Sequence, residues 1–200
     1  MKIDWYSHYI KKGCSVFGEE TFRKNLIVDV PYINLLKKYL KLHANILECG
    51  CGLGRTAVSM SVSGYKITAI DNNRNVLKLA RINAGFGIDI EFFVMDLFDI
   101  NKIFKMGSFN CCTHQGVLEH YSRAEIKKLL KKQLCVENYV IFSVPLDTRF
   151  NRIYFNDKLY RNLWSENYWT RTILTGFYII ETVVVKQRTD NLLIVIRKEK

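Results

Sequence analysis

Apolar positions in the first forty residues recur at helical spacing. Phe22, Leu26 and Ile27 form one stripe, and after Pro31 the residues Tyr32, Leu35, Leu36, Tyr39 and Leu40 repeat at i, i+3, i+4, i+7 and i+8. Pro31 suits the first turn of a helix, so a second helical run is expected to begin there. From residue 45 the period changes. Short β-rich runs (NILE at 45 to 48, YKITAI at 65 to 70, IEFFV at 90 to 94, FNCCTH at 109 to 114, YVIFSV at 139 to 144) alternate with helix-like runs. That alternation predicts an α/β fold with parallel strands joined by crossover helices. Ser122 with Glu125 three residues on predicts a capping box ahead of Ile126, Leu129 and Leu130, and Gly85 or Gly87 can close the helix that carries Val76, Leu77 and Ala80. The last two apolar runs, 177 to 188 and 191 to 198, are separated only by Thr189 and Asp190, which leaves room for a turn and none for a helix. They are expected to pair antiparallel at one edge of a sheet. Before them lies an aromatic-rich stretch with Phe150, Tyr154, Phe155, Tyr160, Trp164, Tyr168 and Trp169, in which Ser165 is placed to cap a helix ending at Gly176. One domain over 1 to 200 is expected: a helical extension (1 to 44), a core (45 to 145), an aromatic insertion (146 to 176) and a terminal hairpin (177 to 200).

Composition agrees with a folded chain. With 48% hydrophobic and 24% charged residues and only 2 prolines in 200 residues, a disordered or collagen-like protein is excluded. No apolar run approaches the roughly 18 residues that span a bilayer, and the first residues are too polar for a signal peptide, so a cytoplasmic protein is expected. The cysteines Cys14, Cys49, Cys51, Cys111, Cys112 and Cys135 include pairs too close together for a disulfide framework and lack zinc-site spacing, so reduced thiols and no metal are expected. A net charge of +11 favours anionic partners. The lysines and arginines are scattered, however, as at Lys37, Lys38, Lys127, Lys128, Lys131 and Lys132, on what read as the wet faces of helices.

The densest chemistry lies in ILECGCGLGRTA, residues 46 to 57. A β-run ends in Glu48 and passes through Gly50, Gly52 and Gly54 into a helix, where glycines let a ligand approach the backbone and the helix start offers N–H groups. The spacing is G-x-G-x-G. A dinucleotide fingerprint wants its third glycine where Arg55 stands, which disfavours a nicotinamide-dependent dehydrogenase. The next strand ends in Asp71, as expected of a carboxylate that accepts hydrogen bonds from two ribose hydroxyls. The third leads into Asp96 and Leu97.

These segments resemble the class I S-adenosylmethionine-dependent methyltransferases through ECGCGLGR at 48 to 55, IDNN at 70 to 73, MDL at 95 to 97 and QGVLEH at 115 to 120. The resemblance runs over roughly residues 45 to 198. It implies a Rossmann-like, doubly wound sheet of seven strands, mostly parallel with an antiparallel final strand, and helices on both faces. It further implies that the loop of Gly50, Cys51, Gly52 and Gly54 packs under the cofactor and that Glu48 places its methionine end. Asp71 with Asn72 would hold the ribose, Asp96 and the Leu97 amide would read the adenine, and Gln115 and Gly116 would border the transferred methyl. His120, in the L-E-H segment, is the candidate general base, and the product would be S-adenosylhomocysteine.

Absences narrow the acceptor. Neither Pro31 nor Pro145 sits in an Asp/Asn-Pro-Pro-Tyr motif, no Pro-Cys dipeptide is present, and the fourth strand ends in His114 and Gln115 instead of acidic metal ligands. Methyl transfer to an oxygen or nitrogen of a small molecule is the leading expectation. The basic surface keeps an RNA or protein methyltransferase open as an alternative, and a non-catalytic S-adenosylmethionine-binding module as another.

Overall fold

A computed structural model of the chain describes residues 3 to 14, 16 to 85, 88 to 157 and 159 to 198. Gly87, one of the two expected helix-closing glycines, lies outside them. The backbone divides into two compact units, residues 1 to 99 and 100 to 200.

The first unit begins with helices α1 (Trp5–Lys11) and α2 (Glu19–Tyr39). Then β1 (Asn45–Cys49), α3 (Arg55–Val62), β2 (Lys66–Asp71), α4 (Arg74–Ala84) and β3 (Ile90–Val94) alternate as expected. The strands lie in the order β3-β2-β1 and pair in parallel, with Cys49 beside Ile70 and Asp71 beside Val94. This register brings the carboxyl ends of β1 and β2, with Glu48 and Asp71, to one rim, where open α/β sheets bind ligands. Ile46, Leu47, Ala57, Val58, Met60, Ala69, Ile70, Val76 and Leu77 form the core.

Helix α2 departs from the sequence reading in two ways. It runs unbroken through Pro31: α2 packs against α3 and buries Tyr32, Ile33, Leu35 and Leu36 in its second half, and such packing offsets the lost proline N–H. Ile27 is also not part of the buried stripe; it is 68% exposed, and the position turned inward is the acidic Asp29. Gly85 closes α4 with φ +69°.

The second unit holds α5 (Ile100–Ile103), β4 (Cys111–Gln115), α6 (Arg123–Leu134), β5 (Tyr139–Pro145), α7 (Arg149–Tyr154), β6 (Tyr178–Lys186) and β7 (Asp190–Arg197). Its strand order is β4-β5-β7-β6. The β4–β5 pair is parallel, while β7 is antiparallel to both β5 and β6. The terminal hairpin forms as expected, with β6 at the sheet edge, but its turn lies at residues 187 to 189, and Asp190, expected in the turn, already belongs to β7 and pairs with Lys186. Ser122 and Glu125 make the capping box reciprocally at the start of α6. Ser165 caps a short helix, α8 (Glu166–Tyr168), which widens into a π-turn over Trp169–Ile173 before Gly176. Trp169 is fully buried within it and meets Trp164 edge to face at 5.0 Å, so this tryptophan is core. Across the two units the described residues form seven strands, mostly parallel and antiparallel at the C-terminal end, as expected of a Rossmann-like fold.

Among the described residues no helix is long and apolar enough to cross a membrane, no cluster of potential metal ligands occurs, and all six cysteines are free thiols.

Candidate active site

In the first unit the site is built on the loop between β1 and α3. The Gly50 and Cys51 amides donate to the Ile70 carbonyl at 2.8 and 3.0 Å, tying the loop to the end of β2. Gly52, at φ +54°, donates its N–H to Oδ2 of Asp71 at 3.1 Å, and the Asn73 amide donates to Oδ1 at 2.9 Å. Each carboxylate oxygen is thus oriented by a backbone amide and keeps a further lone pair for a ligand hydroxyl. Burial raises the Asp71 pKa, opposed by the amides of Asn73, Gly52 and Asn72. Gly54, at φ +79°, starts α3; a Cβ there would sit 3.3 Å from that of Ala80, so glycine lets α3 and α4 approach. Cys51 is buried, and burial with the nearby Glu48 pushes its thiol up, which makes it an inert loop filler.

Behind this loop lies an ionic cluster that sequence reasoning missed. Asp29, 1% exposed on α2, accepts from the Ser59 hydroxyl at 2.7 Å and lies 3.3 Å from the Arg55 guanidinium. Glu48 is buried beside them, and Oε2 of its carboxyl has no hydrogen-bond partner among the described residues. Burial, reinforced by the Asp29 charge and opposed by Arg55, raises its pKa to about 8. Arg55 therefore does more than break the dinucleotide fingerprint, since it is the cation of a buried acidic pair.

Asn72 is exposed, and Asn73 is the residue that caps α4, accepting from the Asn75 and Val76 amides. Oδ1 of Asp96 accepts from the Phe98 amide at 2.8 Å, which shapes the turn at Leu97.

In the second unit β4 delivers Gln115 and Gly116. Oε1 of Gln115 accepts from the Ser143 hydroxyl at 3.4 Å, and Gly116, at φ +65°, donates to the Ser143 carbonyl at 3.3 Å. His114 points the other way. It is buried against Phe142 with ring centroids 5.0 Å apart, and burial lowers its pKa to about 3, weakly opposed by Gln133. This histidine is a neutral core residue.

His120 lies in the turn after β4. Its Nδ1 is 2.7 Å from the carbonyl oxygen of Tyr160. A carbonyl can only accept, so the neutral ring carries its proton on Nδ1 and its basic lone pair on Nε2. Glu119, beside it, is buried, and burial raises its carboxyl to about 7 against the pull of Arg161. The aromatic insertion is zipped onto this turn. The Asn162 amide donates to the Glu119 carbonyl at 2.8 Å, its side chain donates to the Tyr121 carbonyl at 2.6 Å, and the Tyr160 hydroxyl donates to Asn162 Oδ1 at 2.9 Å. Nothing in the local pattern around Asn162 signals this role, because its partners lie about forty residues earlier.

Residues 46 to 136 match the model of the family described as a methyltransferase domain. Over these residues the chain is a methyltransferase domain, similar to the class I S-adenosylmethionine-dependent type. It is 34% identical to a Geobacillus sp. (strain WCH70) protein that carries the name methyltransferase, over 65% of this chain and 57% of that one. It is also 33% identical to a ubiquinone biosynthesis O-methyltransferase of Xanthomonas axonopodis pv. citri, over 38% of this chain and 32% of that one. The chain thus spans little more than half, and about a third, of the lengths of these curated relatives. Among solved structures, the magnesium protoporphyrin IX methyltransferase of Synechocystis PCC 6803 with bound S-adenosylhomocysteine shares the fold, with a TM-score of 0.63 at 18% identity over 99% of this chain and 90% of that one. The cofactor of this methyltransferase domain is S-adenosylmethionine.

Proposed function

We propose that the protein transfers the methyl group of S-adenosylmethionine to an oxygen or nitrogen of a small-molecule acceptor, with His120 as general base. The residues fit the cofactor. Gly52 leaves room beside the loop that a Cβ would take from the Tyr9 hydroxyl, each Asp71 oxygen accepts one backbone amide and has a further lone pair, and Glu48 holds an unpartnered buried oxygen. Gly50, Cys51, Gly52 and Gly54 would pack under the nucleoside, Asp71 beside Asn72 would accept from the ribose hydroxyls, and Glu48 would meet the amino end of the methionine. Asp96 and the Leu97 amide would pair with the adenine edge, and Gln115 and Gly116 would border the methyl. When bound, the cofactor supplies a methyl carbon already activated by its sulfonium. The protein has to align the acceptor, exclude water and remove a proton where the acceptor arrives protonated.

The observation that supports the base assignment is the Tyr160 carbonyl on Nδ1 of His120, which leaves Nε2, 3.8 Å from Glu119 Oε1, as the nitrogen that would take a proton. The O-methyltransferase name of the Xanthomonas relative supports a hydroxyl acceptor. The test is a panel of phenols, catechols and amines incubated with S-adenosylmethionine and assayed for S-adenosylhomocysteine. On any accepted substrate, His120→Ala should lower turnover about 10²- to 10⁴-fold while leaving S-adenosylhomocysteine affinity unchanged. An unaltered rate would remove the base. Asp71→Ala should weaken cofactor binding by about 1 to 3 kcal/mol in calorimetric titration, and equal affinity would displace the ribose site from β2.

A further inference from the structure

Tyr9, on α1, is the feature of the first unit that the cofactor motifs leave unexplained. Its hydroxyl oxygen stands directly over the glycine loop, 2.7 Å from the position a Cβ on Gly52 would take. Asp71, Cys51 and Arg55 are all close enough to act on it electrostatically, and burial keeps the phenol protonated. A phenol hydroxyl held over a glycine loop and beside a carboxylate can both donate to and accept from a ligand seated there.

The position is not the accident of a loose terminus. The Phe17 amide donates to Oδ1 of Asn83 at 2.8 Å, and Nδ2 of the same side chain donates to the Leu53 carbonyl in the glycine loop at 3.0 Å. One buried asparagine thus fastens the segment that follows α1 to the loop below. Within α1, Trp5 stacks on Tyr9 with ring centroids 5.9 Å apart and planes 30° from parallel, which restricts the phenol ring. The Asp4 side chain caps the helix by accepting from the Ser7 amide at 3.2 Å.

We propose that Tyr9 is a cofactor-contacting residue whose hydroxyl hydrogen-bonds the ribose edge of the nucleoside held by Asp71. This rests on the assignment of Asp71 to the ribose. Gly52 then serves both partners, since its N–H orients the Asp71 carboxylate and its missing Cβ leaves the space in which the Tyr9 hydroxyl stands. Asn83 is the positioning residue that keeps α1 at this height above the loop.

The experiment is calorimetric titration of S-adenosylhomocysteine into the full chain and into Tyr9→Phe, Tyr9→Ala and Asp71→Ala, with thermal melts to confirm that each variant folds. Tyr9→Phe, which removes one oxygen, should weaken binding about three- to tenfold, and Tyr9→Ala, which also removes the ring, should weaken it further. Hydrogen exchange supplies a second readout, in which S-adenosylhomocysteine should slow the α1 amides of the wild type and slow them less in Tyr9→Phe. Unchanged affinity in Tyr9→Phe beside a weakened Asp71→Ala would overturn the contact and leave the ribose site standing. Tighter binding in Tyr9→Phe would also overturn it, showing that the hydroxyl competes with the nucleoside. Loss in neither variant would instead fault the Asp71 assignment on which the proposal rests.

Discussion

Between about pH 4.5 and pH 8 the protein should lose stability progressively as pH rises, and Glu48→Gln should remove the largest single part of that loss. In the unfolded chain Glu48 ionises near its ordinary 4.5, whereas burial, with Asp29 adding to it, holds the folded carboxyl protonated up to about 8. Over that window the native state binds more protons than the unfolded state, so stability falls with pH. At about 1.4 kcal/mol per pH unit the effect has a ceiling of about 5 kcal/mol. Glu119 and Glu137, each raised to about 7 chiefly by burial, contribute in the same direction. His114 acts oppositely at the acid end. Its folded pKa of about 3 against 6.5 unfolded means that stability falls as pH drops through that range. The check is the urea midpoint of wild type and Glu48→Gln at half-unit steps from pH 4 to 8.5. The two curves should meet near pH 4.5 and diverge above it; parallel curves would show that Glu48 ionises normally.

Arg55→Met should cost about 2 to 4 kcal/mol. Removing the cation leaves Asp29, which is 1% exposed, as a buried charge that accepts from the Ser59 hydroxyl and lies near the Glu48 carboxyl. Breaking a buried ion pair from one side costs about 3 to 5 kcal/mol, and the 31% exposure of the Arg55 side chain moderates that through solvent screening. The melting temperature should drop by roughly 10 °C in a chain of this size. Adding Asp29→Asn, which keeps an acceptor for Ser59, should recover much of the loss. Because Arg55 opposes the rise of Glu48, Arg55→Met should also move the pH-dependent step of Glu48 upward. Additivity of the two substitutions would indicate that the pair is not coupled.

Local spacing made much of the fold legible. The capping box at Ser122 and Glu125, the glycine that ends α4 at Gly85, the existence of a short hairpin connection before β7, and the change of period at residue 45 each depend on residues within a few positions of one another. So do the glycines between β1 and α3 and the carboxylate that ends β2. What escaped are contacts whose partners lie far apart in the chain. Asn83 reaches the Phe17 amide from 66 residues away, Ser59 reaches Asp29 across 30, and Asn162 reaches Tyr121 across 41. A lone Asn or Asp carries no spacing that would announce such a partner. The stripe in α2 misled for a related reason. Ile27 fits an apolar helix face, but that turn of α2 faces Ser59 and Arg55, so an acid goes inward and the isoleucine goes out. His114 on β4 is legible only once its burial against Phe142 is seen, because a histidine at a strand end reads equally as a ligand or as core.

The bonds between residues 119 to 121 and 160 to 162 bear on how such an enzyme can change its acceptor. A variable insertion is commonly regarded as an interchangeable module, free to be rewritten while the chemistry stays put. Here the insertion supplies the carbonyl that sets the His120 tautomer and two further bonds to the same turn. Grafting a different insertion onto this chain would therefore alter the proton inventory of the turn along with the shape of the cover. On the function proposed above, acceptor preference and turnover would be inherited together, and their divergence would proceed by paired substitutions at the two ends of this zipper.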